Sequence, residues 1–372
     1  MVAPGPPIVE LTTVSDHEAV LHELPHAVSG DGPSPHDSEG GPGVVRLDGL
    51  EPDSEHVHRG ITFRTLPRPA GELLARVATV NDLHLGETEC GRHAGVDLGP
   101  VLSSGPGEPG YPETMSRGAA GEIPGCRPDV VVAKGDLTST GSPEEFDVFT
   151  EIFGGFGNRL HFVKGNHDVV IGTDGFAAPD RIEVELDGVA LAVLDTSVPE
   201  KAHGAVSAEQ LEWLDELGER HHDLQVLVFG HHHVWDPGTN PEPGRAAALP
   251  PDAFFGIRPQ DSERLVEVFA RRPSLSGYFA GHTHRNLVER FAATGHMPWV
   301  QVSAVKDYPG VWAEYRVFES GVLQVLHRIS TADALRWTDS TRALFGGMYP
   351  AYSFGSIADR CFPIWPRDRG AP

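Results

Sequence analysis

Apolar runs recur through the middle of the chain, and each ends at a short polar motif. The runs are LLARVATV, DVVVAK, LHFVK, LQVLVF and SGYFA. Their apolar positions are nearly continuous rather than alternating, which is the pattern of strands buried on both faces. Between them lie segments with helical spacing. Ser207-Ala208-Glu209-Gln210 forms a capping box ahead of LEWLDEL, and Leu211 and Leu214, with Trp213 and Leu217 beside them, would cover a sheet. Asp261 to Arg271 repeats the theme, with Leu265, Val268 and Phe269 at helical spacing. Strands alternating with helices over residues 71–328 predict an α/β domain.

The flanks read differently. Residues 1–70 carry short alternating runs (IVELTTV, AVLHEL, VVRLDGL, GITFRTL) separated by turn signals such as SGDGPSP and EGGPG, the pattern of a small β-rich module. Leu66-Pro67-Arg68-Pro69 reads as its linker. A Gly/Pro-rich insertion, about 86–128, is expected to be a long loop acting as a substrate-side lid. A second irregular segment, 234–259, would reach the same mouth. Residues 329–372 are aromatic and irregular (Trp337, Phe345, Tyr349, Tyr352, Phe354, Phe362, Trp365) and are expected to form a C-terminal tail or cap on the core.

Composition narrows the function. The 372 residues carry a formal net charge of −24, which disfavours general nucleic-acid binding, since that needs Lys and Arg to neutralise phosphates. It does not exclude a phosphate substrate, because bound cations invert the local field. No stretch approaches the roughly 20 apolar residues of a membrane helix, and MVAPGPPIVELTT lacks the basic and apolar regions of a secretory signal. The expectation is a cytoplasmic protein with no membrane partner. Three cysteines, Cys90, Cys126 and Cys361, make no disulfide framework and no zinc site. Cys90 and Cys126 flank the insertion, but free thiols are the expectation in a reducing compartment.

Chemistry sits immediately after the apolar runs. In chain order the motifs are Asp82-Leu83-His84, Gly135-Asp136, Gly165-Asn166-His167-Asp168, Gly230-His231-His232-His233 and Gly281-His282-Thr283-His284. Loops at the C-terminal ends of strands are where open α/β sheets build their sites. Oxygen and imidazole donors without a thiolate suit two divalent metals: Mn, Fe, Zn and Co all fit, so the ligands do not name the ions. Asp136 is the natural bridge, since each carboxylate oxygen can hold one metal. Asp82, His84 and one more imidazole would complete the first site. Asn166 would bring a neutral carbonyl to the second, and His282 and His284, two apart on extended backbone, share a face and can serve both metals.

All five motif blocks, in this order over roughly residues 75–290, resemble the calcineurin-like metallophosphoesterase superfamily. The resemblance implies a four-layer αββα sandwich of two mixed sheets between helices. It implies Asp82, His84, Asp136 and His284 on the first metal, and Asp136, Asn166, His231 and His282 on the second. Leu194-Asp195-Thr196 and Gly204 to Leu214 are similar to the class III cyclic-nucleotide phosphodiesterase and glycerophosphodiesterase branch. Two departures stand out. That branch commonly has proline after its histidines, where this chain reads His231-His232-His233-Val234; His231 is taken as the ligand and His232 as its substitute. Separately, VVRLDGLEPDSEH…GITFRTLPRP is similar to the last strands of the fibronectin type III-like module of purple acid phosphatases. Those enzymes carry an iron-binding tyrosine where this chain has Ser139, so an Fe(III)–tyrosinate centre is not expected.

The expected reaction is hydrolysis of a small phosphodiester, of cyclic-nucleotide or glycerophosphodiester type, by a hydroxide bridging the two metals. His167, the motif histidine left without a metal, would protonate the leaving oxygen, and Asp168 would orient it. Two readings compete. A metal-dependent phosphomonoesterase uses the same residues, and relative rates on a diester and a monoester separate them. A non-catalytic metal-binding scaffold would keep ligands and dispense with His167, which this chain retains. The expected partner is a small phosphate-ester substrate, while its identity and the oligomeric state are not written in these motifs.

Overall fold

The computed structural model describes residues 8–24, 43–93, 96–170, 175–235 and 255–367. In chain order, strands β1 (Ile8–Val14), β2 (Glu18–Leu24) and β3 (Gly43–Asp48) form an antiparallel sheet, followed by a hairpin of β4 (Glu55–His58) and β5 (Ile61–Arg64). Next come β6 (Leu73–Val80), a second hairpin of β7 (Cys90–His93) and β8 (Val96–Leu102), helix α1 (Tyr111–Glu122), β9 (Val130–Lys134), α2 (Pro143–Phe153) and β10 (Leu160–Val163). The chain continues through β11 (Arg181–Leu186), β12 (Val189–Leu194), α3 (Ala208–Arg220), β13 (Gln225–Phe229), α4 (Pro259–Arg271), β14 (Leu275–Ala280), β15 (Leu287–Arg290) and β16 (Pro298–Gln301). It ends with β17 (Val311–Phe318), β18 (Gly321–Arg328), α5 (Ala332–Thr341), the short α6 (Tyr349–Ser353) and α7 (Ile357–Arg360), and β19 (Phe362–Ile364).

Two six-stranded mixed sheets face each other. One has the order β10-β9-β6-β17-β18-β19 and the other β11-β12-β13-β14-β16-β15. Between them Val77, Val132, Leu191, Leu227, Phe229, Phe279 and Tyr315 form a buried core. Met115 and Ala119 of α1, Phe149 and Phe153 of α2 and Ala334 of α5 cover the outer face of the first sheet. Leu211, Leu214 and Leu217 of α3, with Leu265, Val268 and Phe269 of α4, cover the second. This is the four-layer αββα arrangement, and both helices read from the second half of the sequence lie where their apolar spacing puts them. The capping box of α3 is formed by Ser207 and Gln210. Strands β6, β9 and β10 run parallel, as do β12, β13, β14 and β16. The five motifs therefore emerge at the C-terminal edges of the two sheets.

The insertion at 86–128 is not a bare loop. It holds the β7–β8 hairpin and helix α1. The helix is hard to read because Gly118 and Gly121 lower its propensity. Gly118 has a packing reason: a Cβ there would sit 2.7 Å from Ile329 Cγ2. The segment 234–259 lies mostly outside the described residues. From residue 329 to 367 the chain forms helices and a strand rather than a loose tail. Its last strand, β19, pairs antiparallel with β18 and closes an edge of the first sheet.

The N-terminal sheet is built onto the outer face of that same sheet. Thr13 donates to the Leu326 carbonyl at 2.6 Å, Leu66 packs against the core between the sheets, and Arg316 of β17 is shared among Asp16, Glu18 and Glu314. A cleft of about 400 Å³ remains between the two, lined by Arg76, Glu122, Trp312, Glu314, Arg316 and His327 among others. All three cysteines are free thiols.

Candidate metal centre

The loops leaving β6 and β9 are bonded to each other. Asp82 N donates to Gly135 O at 3.1 Å, and Leu83 N and His84 N both donate to Asp136 O, at 2.8 and 3.0 Å. Such pairing holds the backbone where side chains resist going. Asp82, His84, Asp136, His282 and His284 all have left-handed backbone, with φ of 54°, 49°, 49°, 69° and 53°. Each such residue costs on the order of 1–3 kcal/mol and clusters of them mark functional sites. Gly135 (φ 88°) and Gly165 are needed for close approach. A Cβ on Gly135 would lie 2.7 Å from Gly165 N and from His231 Nδ1, and one on Gly165 would lie 2.2 Å from Asp136 Oδ1.

The seven sequence-predicted ligands, Asp82, His84, Asp136, Asn166, His231, His282 and His284, converge. Asp136 Oδ2 lies 3.5 Å from His84 Nε2 and 3.3 Å from His231 Nε2, and His231 Nε2 is also 3.2 Å from Asn166 Oδ1. His284 Nε2 lies 3.6 Å from Asp82 Oδ1. The overlapping triads Asp82–His84–His284 and Asp82–Asp136–His231 each hold their ligand atoms within 4.8 Å of one another, as do His84–Asp136–His167 and His231–His232–His282.

Four of the site's imidazoles, those of His167, His231, His282 and His284, have one ring nitrogen held by a backing oxygen. Nδ1 of His231 faces the Lys134 carbonyl at 2.9 Å, Nδ1 of His284 faces Asp307 at 3.3 Å, and Nδ1 of His167 faces the Ser139 carbonyl at 2.9 Å. For His282 it is Nε2 that is taken, by the Phe255 carbonyl, leaving Nδ1. Fixing the tautomer through the second nitrogen is how proteins orient metal-binding histidines. Both ring nitrogens of buried His84 lack a hydrogen-bond partner, a state costing about 1–3 kcal/mol per group unless something else engages it. The donors thus fit a cation pair.

Electrostatics agree. Burial, reinforced by His167 and Lys306, holds His84 well below the usual imidazole range. Burial does the same for His282, helped by His231. Neutral imidazoles are the form that binds metal. Burial also opposes charge on His231, but the adjacent Asp136 carboxylate outweighs it and brings the group up to about 9. That proton sits where a cation would compete for Asp136.

His232 differs from its neighbour. Its Nδ1 is paired with Thr196 Oγ1 at 2.8 Å, and its backbone N–H also donates to that hydroxyl at 3.1 Å. Its Nε2 has no hydrogen bond and joins His231 and His282 in a triad. Asp168 does not orient His167, because its carboxylate is engaged elsewhere. It accepts from Leu137 N, Thr138 N, Thr138 Oγ1 and Gly165 N at 3.1, 2.8, 2.6 and 2.8 Å, clamping the Asp136 loop to the Asn166 loop. Its carboxyl is pushed up to about 6 by burial and by Asp136, opposed by those donors. Asp195 Oδ1 accepts from the backbone N–H and the hydroxyl of Ser197. Arg285 donates to Gln301 and lies over the Tyr352 ring.

Several supporting residues carry no motif. Asn81 donates to Asp82 Oδ2 at 2.6 Å and to the carbonyls of Val302 and Ser303. Lys134, fully buried, ties β9 to the Ala280 carbonyl of β14; burial brings its amine down to about 7. The one signal available for Lys306 and Asp307 is a Lys-Asp pair inside the apolar stretch VSAVKDY.

A family model described as calcineurin-like phosphoesterase matches residues 75–286. The chain is 25% identical over 249 residues to a probable glycerophosphodiester phosphodiesterase of Arcobacter nitrofigilis, covering 61% of this chain and 83% of that one. It is 28% identical over 180 residues to a probable cyclic nucleotide phosphodiesterase of Rhodococcus erythropolis, covering 45% and 55%. Among solved structures it resembles a dimetal phosphatase from Danio rerio, with a TM-score of 0.52, 14% identity and coverage of 69% of this chain and 97% of that one.

Proposed function

The chain belongs to the calcineurin-like phosphoesterase family, and we propose that it hydrolyses small phosphodiesters at a pair of divalent metal ions. The carrying observation is the convergence of His84 Nε2 and His231 Nε2 on the Asp136 carboxylate, with both ring nitrogens of buried His84 lacking a hydrogen bond. In this reading Asp82, His84, Asp136 and His284 hold one ion, and Asp136, Asn166, His231 and His282 the other. His231 is favoured over His232 because Nε2 of His231 faces both Asp136 and Asn166. The ions, when bound, supply Lewis acidity toward phosphate oxygens and activate water near neutral pH. All-N/O donors suit Mn, Fe, Zn or Co.

His167 handles the proton. Its Nδ1–H donates to the Ser139 carbonyl, which fixes the ring. Nε2 is then the nitrogen that delivers a proton to the leaving alkoxide, a contribution of about 10²–10⁴ in rate. The relatives named above favour a diester of glycerophosphodiester or cyclic-nucleotide type. We read residues 1–70 as an attached β module, 71–328 as the catalytic domain and 329–372 as a C-terminal cap. No helix among the described residues is long and apolar enough to cross a membrane. Free thiols support a cytoplasmic setting.

Metal-stripped protein, with Mn(II) added back, should hydrolyse bis-p-nitrophenyl phosphate faster than p-nitrophenyl phosphate. Faster monoester hydrolysis would move the enzyme to the phosphatases. Turnover of neither, with two ions bound, would favour the scaffold reading.

A further inference from the structure

Residues 306 and 307 bring a cation and an anion into a buried place behind the site. Lys306 and Asp307 are 6% and 2% exposed, and charges are rarely buried so deeply unless paired. Asp307 Oδ2 lies 3.3 Å from His284 Nδ1, while its Oδ1 accepts from the Tyr349 hydroxyl at 2.7 Å. Lys306 Nζ donates to both oxygens of Glu87, at 2.7 and 2.6 Å, and lies 3.9 Å from Asp307 Oδ2. Glu87 Oε2 in turn lies 3.4 Å from His84 Nδ1. One ammonium therefore stands between two carboxylates, and each carboxylate stands behind one histidine.

We propose that Lys306, Asp307 and Tyr349 are positioning residues for the first metal: they hold His284 and set the Glu87 carboxylate behind His84, with each ring's Nε2 on the Asp82–Asp136 side of the site. This rests on the metal-centre reading above. The arrangement is selective between the two sites. His231 and His282 are backed by neutral carbonyls, those of Lys134 and Phe255. His84 and His284 are backed by carboxylates. A carboxylate behind an imidazole fixes its tautomer and raises its basicity, and removing such a partner typically weakens metal binding about 10–100-fold. Tyr349 gives the C-terminal segment a part in this. From the same turn of α6, the Tyr352 hydroxyl donates to the Thr283 carbonyl at 2.8 Å, so two tyrosines hold the His282–His284 loop and its support.

The test is equilibrium binding of Mn(II) to the metal-stripped full chain, by dialysis and metal analysis, with electron paramagnetic resonance to tell an isolated Mn(II) from a coupled pair. Asp307→Ala should weaken one ion about 10–100-fold and leave the other unchanged. At intermediate Mn(II) it should show the isolated-ion signal where the unsubstituted chain shows the coupled one. Asp307→Asn, whose amide oxygen still accepts from His284, should recover most of the affinity. Tyr349→Phe should give a smaller loss at the same site and covers the case in which Asp307→Ala does not fold. Unchanged binding of both ions in Asp307→Ala and Tyr349→Phe, or equal weakening of both, overturns the proposal. Asp136→Ala is the control: if it too binds two ions normally, the metal-centre reading itself fails; if it loses both while Asp307→Ala loses nothing, only the positioning role falls.

Discussion

Replacing Arg316 with methionine tests how firmly the N-terminal sheet is joined to the catalytic domain. Arg316 sits on β17 directly across from Arg76 of β6, a like-charge pairing that is unfavourable unless compensated. Compensation comes from Glu18 at 2.6 Å, Glu314 at 2.8 Å and Asp16 at 3.3 Å. Burial raises the Glu314 carboxyl, but hydrogen bonding from His327 and the charge of Arg316 outweigh it and bring it from 4.5 down to about 2. A shift of that size corresponds to about 3 kcal/mol. Because the folded value is depressed, this stability is fully present above pH 4.5 and is lost as pH falls toward 2. Arg316 shares that effect with His327, yet its removal also strands Glu18, which burial raises and Arg316 lowers. Breaking a buried pair typically costs about 3–5 kcal/mol. Methionine fills much of the volume, so the expected loss at pH 7.5 is about 2–4 kcal/mol. It should shrink on acidification to pH 4, where the stranded carboxylates take up protons. Urea unfolding of metal-free protein at the two pH values, followed by circular dichroism, measures both quantities. An unchanged midpoint at pH 7.5, or a loss that does not diminish at pH 4, would refute the reasoning. Arg76, across from Arg316, is six residues before Asp82, about 20 Å along a strand, so KM and kcat below the transition should be unchanged.

Other perturbations act at the site itself. His167→Ala should retain both metal ions and lose about 10²–10⁴ in kcat; undiminished turnover would remove it from proton transfer. His231→Ala should release one ion on dialysis while His232→Ala keeps two, and the opposite result would exchange their roles. Gly165→Ala places a methyl 2.2 Å from Asp136 Oδ1, so it should lower metal content and activity together; a fully loaded, active variant would show that the two loops can separate without harm.

The strands were legible because β9, β13 and β14 are buried on both faces and so read as unbroken apolar runs. The ligands were legible because they follow those strands directly, where local order in sequence becomes position in space. Helix α1 was not, because its glycines serve packing rather than helix formation, Gly118 lying against Ile329. Nor was the last strand, a three-residue edge whose pairing with β18 depends on where the rest of the chain has gone.

Asp168 shows most clearly where local reading stops. Its position beside His167 suggested that it acts on that ring, and its carboxylate instead collects four donors from the two loops that carry Asp136 and Asn166. A short polar side chain one residue from a reactive one is as well placed to fix backbone as to fix the ring, and only the direction of the carboxylate decides. The same holds in reverse for Asp307 and Tyr349, which are far from every motif in sequence yet stand behind His284. Five of the proposed ligands are held in left-handed backbone, a conformation that local preference opposes. Such a centre needs restraint from outside its own loops. That restraint comes from segments with no reason to look alike, so it leaves no pattern to read along the chain.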